Sequence, residues 1–116
     1  MKYIIITPAK DEGKYIEYTL KSVCAQTLKP YKWIIVNDGS TDNTAAIVKE
    51  YQTKYSWIKL INKENKFEKK LSGKKVIRAF YRGYNILKNH DYEFIVKLDA
   101  DLILSENYFE KVSIAF

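Results

Sequence analysis

Four short apolar runs, Tyr3–Thr7, Lys32–Val36, Trp57–Ile61 and Phe94–Leu98, restrict what this chain can fold into more than any other feature. They are rich in β-branched and aromatic residues, which fit a pleated surface. The first two are apolar on both faces, the pattern of strands covered from both sides, as in parallel sheets. Helical spacing fills the intervals: Ile16, Leu20, Val23 and Cys24 over roughly 13–26, then Thr44, Val48, Tyr51 and Tyr55, then Ile77, Phe80, Tyr84 and Leu87 over roughly 73–89. Pro8 is expected to end the first strand. The Lys-rich stretch from Asn62 to Ser72 has no clear period and reads as a loop, and Ser105 is placed to cap a last helix carrying Phe109, Val112 and Phe116. Strand and helix alternating in this way predict an α/β protein: a three-layer α/β/α, Rossmann-like arrangement around a mainly parallel four-stranded sheet with right-handed crossovers.

A chain of 116 residues can bury a core without disulfides or zinc, so residues 1–116 are expected to form a single domain. The single cysteine, Cys24, cannot form an internal disulfide, and with His90 alone beside it there is no zinc constellation. Both facts fit a reducing compartment. No apolar run approaches the roughly 20 residues of a membrane-spanning helix, and Met1-Lys2 leads into a strand rather than a signal peptide, so a cytoplasmic location is expected, with attachment to a membrane face left open. The net charge of +6 raises the question of nucleic acid. Lys63, Lys66, Lys69, Lys70, Lys74, Lys75, Arg78 and Arg82 cluster in the middle instead of striping the chain, which fits a solvated loop and helix face, or one or two contacts to a nucleotide diphosphate.

In parallel α/β sheets ligands bind beyond the carboxyl ends of the strands. The polar residues expected there are Thr7, Asp11, Glu12, Asn37, Asp38, Asp99 and Asp101. Asp99 and Asp101 end the fourth run as a D-x-D. They share a face if the strand continues, and can still converge if the chain turns after Leu98. Hard divalent cations take one or two carboxylates plus substrate phosphates, so this pair suits Mg2+ or Mn2+. Two acids in a loop also serve as ordinary solvated turn residues. Asp38 is open to two readings, turn former or acceptor for a base N–H or ribose hydroxyl. Glu12 is either a first-turn helix charge or a second acceptor, and Ser40, Thr41 and Asp42 read as helix caps.

Taken together, Ile4–Glu12 (IIITPAKDE), Val23–Thr27 (VCAQT), Ile35–Asp42 (IVNDGSTD) and Phe94–Asp101 (FIVKLDAD) resemble the nucleotide-binding half of inverting glycosyltransferase family 2, whose catalytic domains have the GT-A fold. The resemblance spans essentially the whole chain. It implies a donor site for a nucleotide-diphosphate sugar, commonly a UDP-sugar, with Mn2+ or Mg2+ and a glycan or lipid-linked acceptor. Cell-surface polysaccharide synthesis is the setting it suggests. Thr7, Ala9, Glu12 and Asp38 would hold the nucleoside, and Asp99 and Asp101 the metal and sugar diphosphate. Where family members often carry an Ala-Arg-Asn-x-Gly-like segment, this chain reads Ala79-Phe80-Tyr81-Arg82-Gly83, so a basic diphosphate contact falls to Lys74, Lys75 or Arg78. The family's acceptor half and its base, an Asp downstream of the D-x-D, have no counterpart before Phe116. The chain is therefore expected to be a truncated piece with no catalytic residue of its own, its last helix open to pairing in a homodimer. The alternatives are a non-catalytic α/β assembly or nucleotide-binding module and, using the basic middle, a nucleic-acid-binding domain.

Overall fold

In the computed structural model, which describes residues 2–62 and 92–114, the four apolar runs become four strands. The order is β1 (Tyr3–Ala9), α1 (Ile16–Cys24), β2 (Lys32–Asn37), α2 (Thr44–Lys54), β3 (Ile58–Asn62), β4 (Phe94–Lys97) and α3 (Tyr108–Ile114). The strands form one sheet in the order β3-β2-β1-β4, with every neighbouring pair parallel. The stretch after Asn62, the helix expected over 73–89 and Phe116 lie outside the described residues.

Side chains alternate along β1 and β2, and both faces are buried. Tyr3, Ile5, Trp33, Ile35 and Ile58 face a core closed by Ile16, Leu20 and Val23 of α1, Val48 and Tyr51 of α2 and Phe109 of α3. Ile4, Ile6, Ile34 and Val36 form a second buried cluster on the opposite face, with Ile61, Tyr92 and Ile95 packed against it. Each of these enclosed isoleucines contributes about 1.5–3 kcal/mol of transfer free energy. Tyr3 stacks on Phe94 with ring centroids 5.3 Å apart and lies 4.6 Å from Phe109, tying the edge strand β4 to α3.

Two boundaries differ from expectation. β1 runs through Pro8 to Ala9, with Pro8 opposite Val36. The carbonyls of Tyr3 and Ala9 accept from the β2 side (Tyr31 N and Asp38 N, both 2.8 Å), while that of Ile6 accepts from Leu98 N on the β4 side (3.1 Å). Pro8 shares the phase of Ile6, and the β4 ladder stops at Lys97, so its missing N–H falls where no partner strand needs it. Helix α1 starts at Ile16, about three residues late, because the Glu12 carbonyl accepts from both Tyr15 N (2.9 Å) and Ile16 N (2.8 Å) in a preceding turn.

β2 and β3 extend from one side of β1 and β4 lies on the other. The strand order thus reverses between β1 and β4, and such a reversal opens a crevice at the carboxyl ends of the two strands.

Candidate donor site

The residues after β1 and β2 are stitched to each other by hydrogen bonds that reach across about thirty positions of sequence. Asp11 N donates to Ser40 Oγ (3.0 Å), Glu12 N to Thr44 Oγ1 (3.0 Å) and Gly13 N to Asp42 Oδ2 (2.9 Å). In return, Thr41 N and Thr41 Oγ1 donate to Asp11 Oδ1 at 2.7 and 3.2 Å. Asp11 holds φ at 51°, the left-handed region that aspartate tolerates better than most residues because its short side chain can bond locally. Ser40 and Thr41 therefore do not cap a helix, contrary to expectation. Helix α2 begins at Thr44, beyond their reach; Asn43 is its N-cap residue without a side-chain cap bond, and Asp42 just before it accepts from Thr44 N at 2.9 Å and from the Thr44 hydroxyl. These donors hold the Asp42 carboxyl below its ordinary value, the Thr44 hydroxyl most of all.

Gly39 supplies the other positive φ in the second loop, 74°, immediately after Asp38. Ser40 N donates to Asn37 Oδ1 (3.1 Å), and Asn37 Nδ2 donates to Asn62 Oδ1 (2.9 Å), so the ends of β2 and β3 are pinned together. On this frame Asp38 is nearly enclosed, at 4 % exposure. Its backbone N–H donates to the carbonyl of Ala9.

Thr7 and Ala9, expected among the nucleoside contacts, have buried side chains. Thr7 is fully buried and its hydroxyl accepts from Trp33 Nε1 at 2.8 Å. Ala9 is 2 % exposed, with its methyl in the main core. The alternation that sends Ile6 to one face sends these two side chains to the other, under the helices. Lys74, Lys75 and Arg78 lie outside the described residues.

β4 stops at Lys97, and the chain turns through Ala100 and Asp101. Leu98 and Ala100 go into the main core, which leaves Asp99 and Asp101 exposed. Glu12 reports their proximity. Burial raises its pKa above the ordinary value first, and the negative charges of Asp101, Asp42, Asp99 and Asp11 raise it further. Three loops thus bring carboxylates to one edge of the sheet, where a cation would be favoured. Among the described residues, no three His, Cys, Asp or Glu side chains form a ready-made metal cage. A cage is not required of Mg2+ or Mn2+, which keep waters and substrate phosphates as ligands. The pair of exposed hard oxygen donors fits such an ion.

A second contact was not legible in the sequence. Gln26 is fully buried between α1 and the chain that follows the D-x-D. Its Nε2 donates to Ser22 O (3.1 Å) and Ser105 O (2.6 Å), and its Oε1 accepts from Phe109 N (3.1 Å). Thr27 N adds a bond to Glu106 O (2.8 Å). The Gln-Thr pair of the VCAQT segment therefore anchors the far side of the Asp99–Asp101 turn.

Against this geometry, the sequence model described as Glycosyl transferase family 2 matches residues 4–113. The chain belongs to that family. The family 2 chain is 28% identical over 106 residues to Glycosyltransferase GlyG of Streptococcus pneumoniae, a match covering 91% of this chain and 32% of that one. It superposes on S. aureus TarS in complex with UDP-GlcNAc with a TM-score of 0.73 and 27% identity, over 98% of this chain and 30% of TarS. The mannosyltransferase PcManGT of Pyrobaculum calidifontis, in complex with GDP-Man and Mn2+, shares the fold at a TM-score of 0.67 and 21% identity, over 88% of this chain and 28% of that one. The chain spans about a third of the length of the curated relatives first matched, 32% and 36%.

Proposed function

We propose that this family 2 chain carries the donor site of a metal-dependent inverting glycosyltransferase that uses a nucleotide-diphosphate sugar, a UDP-sugar in the first instance. The observation that carries the reading is the placement of Asp99 and Asp101 at the strand-order reversal, close enough to Glu12 to raise its pKa. The TarS complex with UDP-GlcNAc supports the choice of donor.

In this reading Asp38 and Glu12 accept hydrogen bonds from the nucleoside, and the stitched loops hold both acceptors at fixed separation. Asp99 and Asp101 hold the divalent ion against the diphosphate. When bound, the ion acts as a Lewis acid that offsets charge developing on the leaving diphosphate. Thr7 and Ala9 shape the floor beneath. Lys75 and Arg78 are the candidates for a basic contact to the diphosphate, named from the sequence at the place where the chain departs from the family's pattern. The sugar passes with inversion to an acceptor hydroxyl on a glycan or lipid-linked chain, and none of the described residues is assigned as the base. The reading places the protein in the cytoplasm, where a net charge of +6 suits an anionic membrane surface. No helix among the described residues is long and apolar enough to cross a membrane.

Amide chemical-shift mapping with UDP and Mg2+ tests the site. The expected result is shifts concentrated near Glu12, Asp38 and Asp99, with signals around Asp101 broadened when Mn2+ replaces Mg2+. Shifts or broadening confined to other surfaces would contradict it.

A further inference from the structure

Lys97 ends β4 opposite Ile6, and its Nζ lies 2.9 Å from Asp99 Oδ1. Lys97 is the last strand residue and Asp99 stands two positions on, both exposed, while Leu98 between them is buried. One oxygen of the first carboxylate of the D-x-D is therefore already bonded to a cation that belongs to the chain.

We propose that Lys97 is a built-in counter-cation of the D-x-D that makes metal binding and nucleotide binding depend on each other. The proposal rests on the donor-site reading above. A divalent ion arriving alone has to take the Asp99 oxygen from an ammonium and then sit beside that like charge. A nucleotide diphosphate removes the conflict, because its oxygens can accept the displaced ammonium and ligate the metal together. Lys97 thereby disfavours the metal-only state and favours the ternary one. Coupling of this kind is reciprocal, so the metal strengthens nucleotide binding by the same factor that the nucleotide strengthens metal binding. The side chains of Lys97 and Asp99 are 41% and 61% exposed. Ion pairs so exposed are weak enough to exchange partners, and removing one changes an affinity modestly, about two- to fivefold here.

The test is Mn2+ binding to the full chain by electron paramagnetic resonance, without and with UDP, in the wild type, Lys97→Met and Lys97→Arg. Circular dichroism checks that each variant is folded. Without UDP, Lys97→Met is expected to bind Mn2+ about two- to fivefold more tightly than the wild type, and Lys97→Arg to match the wild type. With UDP, the gain in Mn2+ affinity is expected to be larger in the wild type than in Lys97→Met. Equal Mn2+ affinities of wild type and Lys97→Met without UDP, with UDP binding intact, would overturn the role of Lys97 and leave the donor site standing. Absence of UDP binding in all three chains would remove the donor-site reading and the coupling with it.

Discussion

Glu12 is a carboxyl that folding makes harder to ionise, first through burial and then through four neighbouring carboxylates. A group whose folded pKa is raised contributes fully to stability while protonated, and that contribution is lost as pH rises through the raised value. Glu12→Gln is therefore expected to raise Tm at pH 7.5, where the wild type bears the repulsion, with the difference shrinking toward about pH 4, where glutamate is largely protonated. Thermal melts of both chains at the two pH values check this, and an equal gain at both would contradict it. Gly13 packs against two side-chain ends. A Cβ there would stand 2.0 Å from Asn43 Oδ1 and 2.8 Å from Asp42 Oδ2, the acceptor of its own N–H. Both belong to exposed side chains that can swing aside, so Gly13→Ala is expected to cost about 1 kcal/mol at most, through the Gly13 N–H bond to Asp42, measured as a fall in the urea midpoint. At this scale the acids were legible in the sequence, since carboxylates at strand ends point to a polar edge. The pairing of Asp11 with Ser40 and Thr41 was not, because loop partners 29 and 30 residues apart leave no local pattern. The Lys97–Asp99 contact was hidden for a different reason: a lysine ending an apolar run reads as a solvated tail.

Among the elements, the strands were the most legible, because burial on both faces imposes apolar side chains on both phases of β1 and β2. The boundaries were less so. Whether Pro8 ends β1 depends on which neighbour its nitrogen faces, a property of the assembled sheet. The stretch joining α1 to β2 carried Gln26 only as part of a resemblance, yet its amide makes three bonds, one to Ser22 O of α1 and two that fix α3 and the turn before it. Gln26→Met keeps the volume and removes all three, leaving Phe109 N and Ser105 O without their buried partner. The expected cost is about 2–4 kcal/mol, read as a lower urea midpoint at unchanged m-value. A loss below about 0.5 kcal/mol would show that the amide is dispensable.

Over the whole molecule, the alternation of strand and helix predicted the parallel sheet, and the order β3-β2-β1-β4 adds what alternation cannot show, the position of the reversal. That position puts the ends of β1 and β4 side by side, so residues nearly ninety apart in sequence, Glu12 and Asp99, come to share one electrostatic environment. Membership of family 2 and the superposition on TarS agree with this arrangement. The central claim is that the Asp99–Asp101 edge binds a nucleotide diphosphate through a divalent ion. Calorimetric titration of UDP into the wild type and Asp99→Ala, each with Mn2+ and then with a chelator, tests it most directly. The account predicts that Mn2+ strengthens UDP binding at least about tenfold in the wild type and has little effect in Asp99→Ala, as expected when a metal loses a carboxylate ligand. Equal UDP affinity in the two chains with Mn2+ present would contradict it.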